Sequence, residues 1–146
     1  MKFREFKTSS GKIVLAGKDA KSNEELIKQA EKNEDVFHSA KPGSPFVNIK
    51  SSKTNAKDRK ATTEGSRSPI TKKDIREAAI FCALKSQDWR DNKKDVEVHW
   101  FNGKDVCKIK GMKLGTFGVK KYKKILVKKK EIEDFIKNSS KRVENK

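Results

Sequence analysis

The sequence predicts an α+β fold, a largely antiparallel sheet packed against a buried central helix and a second, shorter helix. Three observations predict it. The chain opens on short apolar or alternating runs broken by Ser, Gly and Pro, as hairpin strands do. The run Ala78–Leu84 is apolar on every side, the pattern of a helix with no solvent face. The stretch after Asp91 alternates apolar and polar residues between glycines, the pattern of half-buried strands. A length of 146 residues suits one ordinary core. One domain is therefore expected over 1–137, with 138–146 as a disordered tail.

The elements follow in order. FREFKT and KIVLAG, separated by Ser9, Ser10 and Gly11, read as two hairpin strands. From Asp19 the spacing changes to helical. Asp19 or Ser22 can cap, Ser22 with Glu25 resembles a capping box, and Leu26, Ile27 and Ala30 form one apolar face that ends near Asn33 and Glu34. DVFHSA and FVNIK are strand-like, joined through KPGSP, whose Pro42-Gly43 pair suits the centre of a type II turn. Ser51 to Ser68 holds no large hydrophobic residue and reads as a flexible basic loop. Thr71 with Asp74 marks the start of the central helix. VEVHWF, KDVCKIK, LGTFGV and KKYKKILVK then read as an antiparallel meander, and EIEDFIKN as a last helix.

Charge is the strongest functional signal. The net charge is +17, and Lys104 to Lys130 concentrates eleven lysines against Asp105 alone. A field this dense attracts polyanions, because each neutralised phosphate releases condensed counterions. Alternation along the meander would place the ammonium groups on one face and the apolar side chains on the other. Lysine lacks the planar fork of arginine, so recognition by shape and charge is expected, without base-specific readout from this row. The candidates there are Lys108, Lys110, Lys113, Lys120, Lys121, Lys123 and Lys124. Of the aromatic residues beside them only Tyr122 is expected to be exposed, because lysines flank it on both sides.

Other residues are weaker candidates. Gly17, Lys18, Asp19 and Asn23 stand where a strand end enters a helix N-terminus, which favours an anion. On the residues alone, Asp19 as a cap and Asn23 as a brace is the favoured reading. The His38 imidazole, the Ser44 hydroxyl and backbone N–H groups of the KPGSP turn could converge on a phosphate or ribose, although a histidine on a strand is more often structural. His99 is given no role. Cys82 and Cys107 have neither disulfide nor zinc spacing and read as buried free thiols. No apolar segment approaches a membrane span and the N-terminus lacks a signal-peptide core, so a cytoplasmic protein without membrane contact is expected. Neither a metal nor a small-molecule cofactor is called for, and no catalytic group is assigned.

GKDAKSNEELI followed by DVFHSAKPGSPFVNIK resembles the NFACT-R domain, the RNA-binding module of the ribosome-quality-control NFACT factors. SQDWRD, VEVHWFNGKDVCKIKG and LGTFGVKKYKK continue the resemblance in order, so that it covers about Gly11 to Val127. The loop from Ser51 to Ser68 is unmatched, and its Arg59 is a further candidate contact. The resemblance implies a module that contacts RNA without catalytic activity of its own. It carries functional weight onto Asp19, Asn23, Glu24, His38, Gly43 and Ser44, and onto Lys108, Gly115, Phe117, Lys120 and Lys121. The larger NFACT factors carry further regions that this sequence lacks, so the similarity is to the stand-alone, archaeal type. The expected partner is structured RNA, tRNA or rRNA, with a ribosomal subunit as the wider setting. The rivals on sequence grounds are a DNA-binding or architectural protein, an RNA-processing enzyme and a module for acidic protein partners.

Overall fold

The computed structural model describes residues 3–41, 43–50, 70–108, 111, 112, 114 and 117–144, with side chains as far as Asn138. Six strands form one antiparallel sheet: β1 (Arg4–Lys7), β2 (Ile13–Ala16), β3 (Asp35–Ser39), β4 (Val47–Ile49), β5 (Val96–Asn102) and β8 (Lys123–Val127). Their spatial order is β1-β2-β4-β3-β5-β8. The helices are α1 (Ala20–Gln29), α2 (Lys72–Leu84), α3 (Gln87–Asn92) and α4 (Lys129–Glu144). A two-stranded ribbon, β6 (Val106–Cys107) with β7 (Gly118–Val119), stands apart from the main sheet. No helix among the described residues is long and apolar enough to cross a membrane.

The α+β expectation holds, and the period of two along the strands explains how both helices find the sheet. Val14, Ala16, Phe37, Val47, Ile49, Val96, Val98 and Val127 point to one face, where α2 lays down Ile75 and Ala78 through Ala83. The alternate residues Val36 and Phe101 point to the other, where Leu26 of α1 and Phe46 complete a second cluster that the ribbon covers through Val106, Phe117 and Val119. The sheet is thus a middle layer. Both main caps are reciprocal. Asp19 accepts from the Ser22 N–H while the Ser22 hydroxyl accepts from the Asp19 N–H, and Thr71 and Asp74 do the same for α2. The box therefore starts one turn earlier than Ser22 with Glu25, and α1 stops at Gln29 with Ala30 as its C-cap.

Two expectations change. The C-terminal strands do not form a continuous meander: β5 pairs with β3 on one side and β8 on the other, and the chain between them leaves the sheet to build the ribbon. Pairing with β8 buries the Val98, Ile125 and Val127 side of both strands against α2, which a short β6 of two half-buried residues cannot match. The second change is at the C-terminus, where the last helix runs beyond EIEDFIKN to Glu144. Ile132 is fully buried and Phe135 packs 5.1 Å from Phe6, so the helix is nucleated on the core and each added residue gains a hydrogen bond. The loop 51–68 lies outside the described residues.

Candidate nucleic-acid interface

A cleft of about 770 Å³ opens at the end of the sheet where β2 enters α1 and β3 enters the turn to β4. Its construction begins with that turn. Gly43 takes φ +86°, a left-handed value that favours glycine, and its carbonyl accepts from the Gln87 N–H at 3.0 Å, docking the turn on α3. The Ser44 hydroxyl accepts from the Ser39 N–H at 3.1 Å and donates to the Pro45 carbonyl at 2.9 Å. Ser44 is thereby buried and committed within the turn. Asn23 Oδ1 accepts from the Phe46 N–H at 3.1 Å, and the Gly17 N–H donates to the Phe46 carbonyl at the same distance. Helix start and turn are locked together by these bonds.

Asp19 is consumed by its cap: hydrogen bonds from Ser22 hold its carboxyl below the usual range, so it stands ionised and would repel a phosphate. The part of this region suited to an anion is the cationic rim. Arg4 of β1, Lys18 and Lys41 of the loops, Lys85 at the end of α2 and Arg90 of α3 all line the cleft. Lys41 lies 3.6 Å from Asp88, whereas Arg4, Lys85 and Arg90 form no ion pair among the described residues. Burial pushes the Lys85 ammonium below its ordinary value, and the charges of Arg4 and Arg90 add to the effect.

The other wall is aromatic. His38 and His99 face each other across the β3–β5 register and share a sheet face. His38 packs on Phe46 with centroids 4.4 Å apart, and Phe117 meets Phe46 edge-on at 5.5 Å. Nδ1 of His38 lies 2.7 Å from the Ser39 carbonyl, which can only accept, so that nitrogen carries a proton. Burial lowers the His38 pKa, the two backbone carbonyls of Ser39 and Ser44 oppose it, and the ring is neutral at neutral pH. Tyr122 stacks on His99 at 4.0 Å and 22° while remaining 46% exposed. Its exposure is as expected, and it has a structural neighbour as well.

The lysine row is not one face. Lys120 and Lys121 occupy the turn into β8, and Lys123 and Lys124 are consecutive residues of that strand and so point to opposite sides. Lys123 lies opposite Trp100 and holds its ammonium 5.3 Å from the indole, on the α2 side of the sheet. Lys124 lies opposite His99 on the cleft side. Lys108 is paired with Glu24 at 3.0 Å and sits 4.5 Å over the Phe117 ring, tying the ribbon to α1. A single row of ammonium groups over a packed face is therefore replaced by a turn with charge on both sides. A second depression of about 660 Å³ runs past Lys120, Lys121 and Lys123 and shares Tyr122 with the first. Arg59, Lys110, Lys113 and Gly115 lie outside the described residues.

The structure brings Lys18, Asp19, Asn23, His38, Gly43, Ser44 and Tyr122 into one cleft. Sequence reasoning missed Arg4, Lys85, Arg90 and His99. The first three are isolated basic residues in three separate elements with no shared pattern. His99 had no local signal either, since nothing in the sequence says that VEVHWF lies beside DVFHSA.

The family model described as the NFACT protein RNA binding domain matches residues 2–121. The archaeal Rqc2 homolog aRqcH of Methanocaldococcus jannaschii is 29% identical over 100 residues, which is 68% of this chain and 13% of that protein. The solved C-terminal part of the fibronectin/fibrinogen-binding protein from Streptococcus suis matches with a TM-score of 0.70 at 24% identity, covering 92% of this chain and 49% of that one. The last likeness is one of fold.

Proposed function

Because the chain belongs to the family of NFACT protein RNA binding domains, we propose that it binds structured RNA, tRNA or rRNA, by shape and phosphate charge. The observation that carries the reading is the continuity of its basic surface. The cationic rim of the cleft and the Lys120–Lys121 turn meet at Tyr122, which borders both depressions. A phosphate backbone laid along that path meets Arg4, Lys85 and Arg90 in one part and Lys120 and Lys121 in another. The role is binding, not catalysis: Ser44 is held by backbone partners and Asp19 by its cap, which leaves neither poised as a reacting group. The relative in M. jannaschii is named an Rqc2 homolog. Together with the sequence resemblance it supports a setting in translation or ribosome quality control, with a ribosomal subunit as partner, in the cytoplasm.

Titrating labelled tRNA and an rRNA fragment against the protein at several salt concentrations tests the proposal. Affinity should fall steeply with salt. Converting Lys120, Lys121 and Lys124 to glutamate should flatten the slope of log K against log salt by about 2–3, at roughly 0.7–0.9 for each phosphate no longer neutralised. Equal affinity and slope in that variant would overturn the proposal, as would a clear preference for duplex DNA of equal phosphate count.

A further inference from the structure

The cleft has features that a surface for phosphate backbone alone does not require. One end carries three cations from three elements, Arg4, Lys85 and Arg90, without a carboxylate partner among the described residues. Each guanidinium is steadied by neutral acceptors that leave its charge unbalanced. Arg4 Nη1 donates to the Gly17 carbonyl at 3.2 Å, and Arg90 donates to the Lys85 carbonyl at 3.2 Å and to Gln87 Oε1 at 2.9 Å. Holding like charges together costs free energy unless an anion joins them. The cations are thus arranged for a ligand that brings negative charge.

Another part of the cleft wall offers flat rings. Tyr122 has one face on His99 and is 46% exposed, and His38 at the same wall is an uncharged ring. A volume of about 770 Å³ lies within the roughly 300–1,000 Å³ of small-ligand clefts. Cations ready for phosphate and a ring open to stacking, both along one cleft, describe a path for an RNA strand. We propose that the cleft takes a short unpaired stretch of an RNA strand, one of its phosphates between Arg4, Lys85 and Arg90 and an unstacked base further along it on the open face of Tyr122. This inference rests on the RNA-binding reading and narrows it: the protein docks at a loop, bulge or end of a structured RNA, where an unpaired base is free to turn outward. The strand then leaves past Tyr122 toward Lys120 and Lys121.

The test compares a short single-stranded oligoribonucleotide carrying a fluorescent purine analogue, duplex RNA of equal phosphate count, and AMP. The full chain should quench the analogue and bind the single strand more tightly than the duplex. Tyr122→Ala should weaken the single strand about tenfold or more, the scale of one base–aromatic stack, while Tyr122→Phe retains binding. Arg90→Glu, at an exposed position, should weaken the single strand and also abolish competition by AMP. If RNA binds but both Tyr122→Ala and Arg90→Glu leave single-strand affinity within about twofold, the single-strand site is overturned and the general RNA reading survives. Binding of AMP without binding of either RNA would overturn both and assign the cleft to a free nucleotide, and failure of all three ligands would overturn both as well.

Discussion

Replacing Gly17 by alanine tests the lock between α1 and the turn to β4, on which the geometry of the cleft depends. A Cβ at Gly17 would lie 1.9 Å from Asn23 Oδ1 and 2.8 Å from its Cγ, so the amide must swing away. Asn23 Oδ1 is the acceptor for the Phe46 N–H, and Phe46 is 3% exposed, which leaves a nearly buried donor without its partner. Such a loss costs about 1–3 kcal/mol. Against it stands the reduced entropy of the unfolded chain, worth about 0.4–1 kcal/mol, because Gly17 does not need a left-handed φ. The expected net destabilisation is about 1–2 kcal/mol in urea denaturation. Asn23→Ala alone should cost about 1–3 kcal/mol by losing the same acceptor. In the Asn23→Ala background the clash is absent, so adding Gly17→Ala should be neutral or slightly stabilising. The contact to the Asn23 backbone nitrogen at 3.1 Å is common to both backgrounds and cancels in the cycle. A Gly17→Ala cost that is the same in both backgrounds would refute the lock.

Two further outcomes follow from groups outside the cleft. Burial tends to raise the Asp74 carboxyl, but hydrogen bonds from Ser10, the Thr71 N–H, Thr8 and the Thr71 hydroxyl outweigh it and bring the group to about 2. A folded-state value below the unfolded 3.8 makes the contribution, about 2 kcal/mol, complete above roughly pH 5 and lost as pH falls through about 2. The stability gap between the parent and Asp74→Asn, measured in urea, should therefore narrow over that window, and a gap independent of pH would contradict the network. Cys82 is fully buried and its thiol is pushed up to about 12, whereas Cys107 is only half-buried. A thiol reagent at mild pH should label Cys107 promptly and Cys82 only at the rate of unfolding; prompt labelling of both would show that the Cys82 environment is open.

Much of the architecture was legible locally. Asp19 and Thr71 announce helix starts because a short oxygen-bearing side chain can return to the N3 amide, an interaction spanning three residues. Ala78 through Ala83 announce a buried helix because only burial accommodates apolar residues all round. The excess of lysine between Lys104 and Lys130 announces a polyanion partner without reference to any fold. Tertiary structure decided the rest, since register between distant strands is set by which pairing buries the most apolar surface. That pairing put β8 beside β5, split Lys123 from Lys124 across the sheet and set His99 opposite His38. It also gathered Arg4, Lys85 and Arg90, three scattered basic residues along the chain, at the mouth of one cleft. Charge is a property of composition and survives any folding, whereas convergence in space depends on how the folded chain packs.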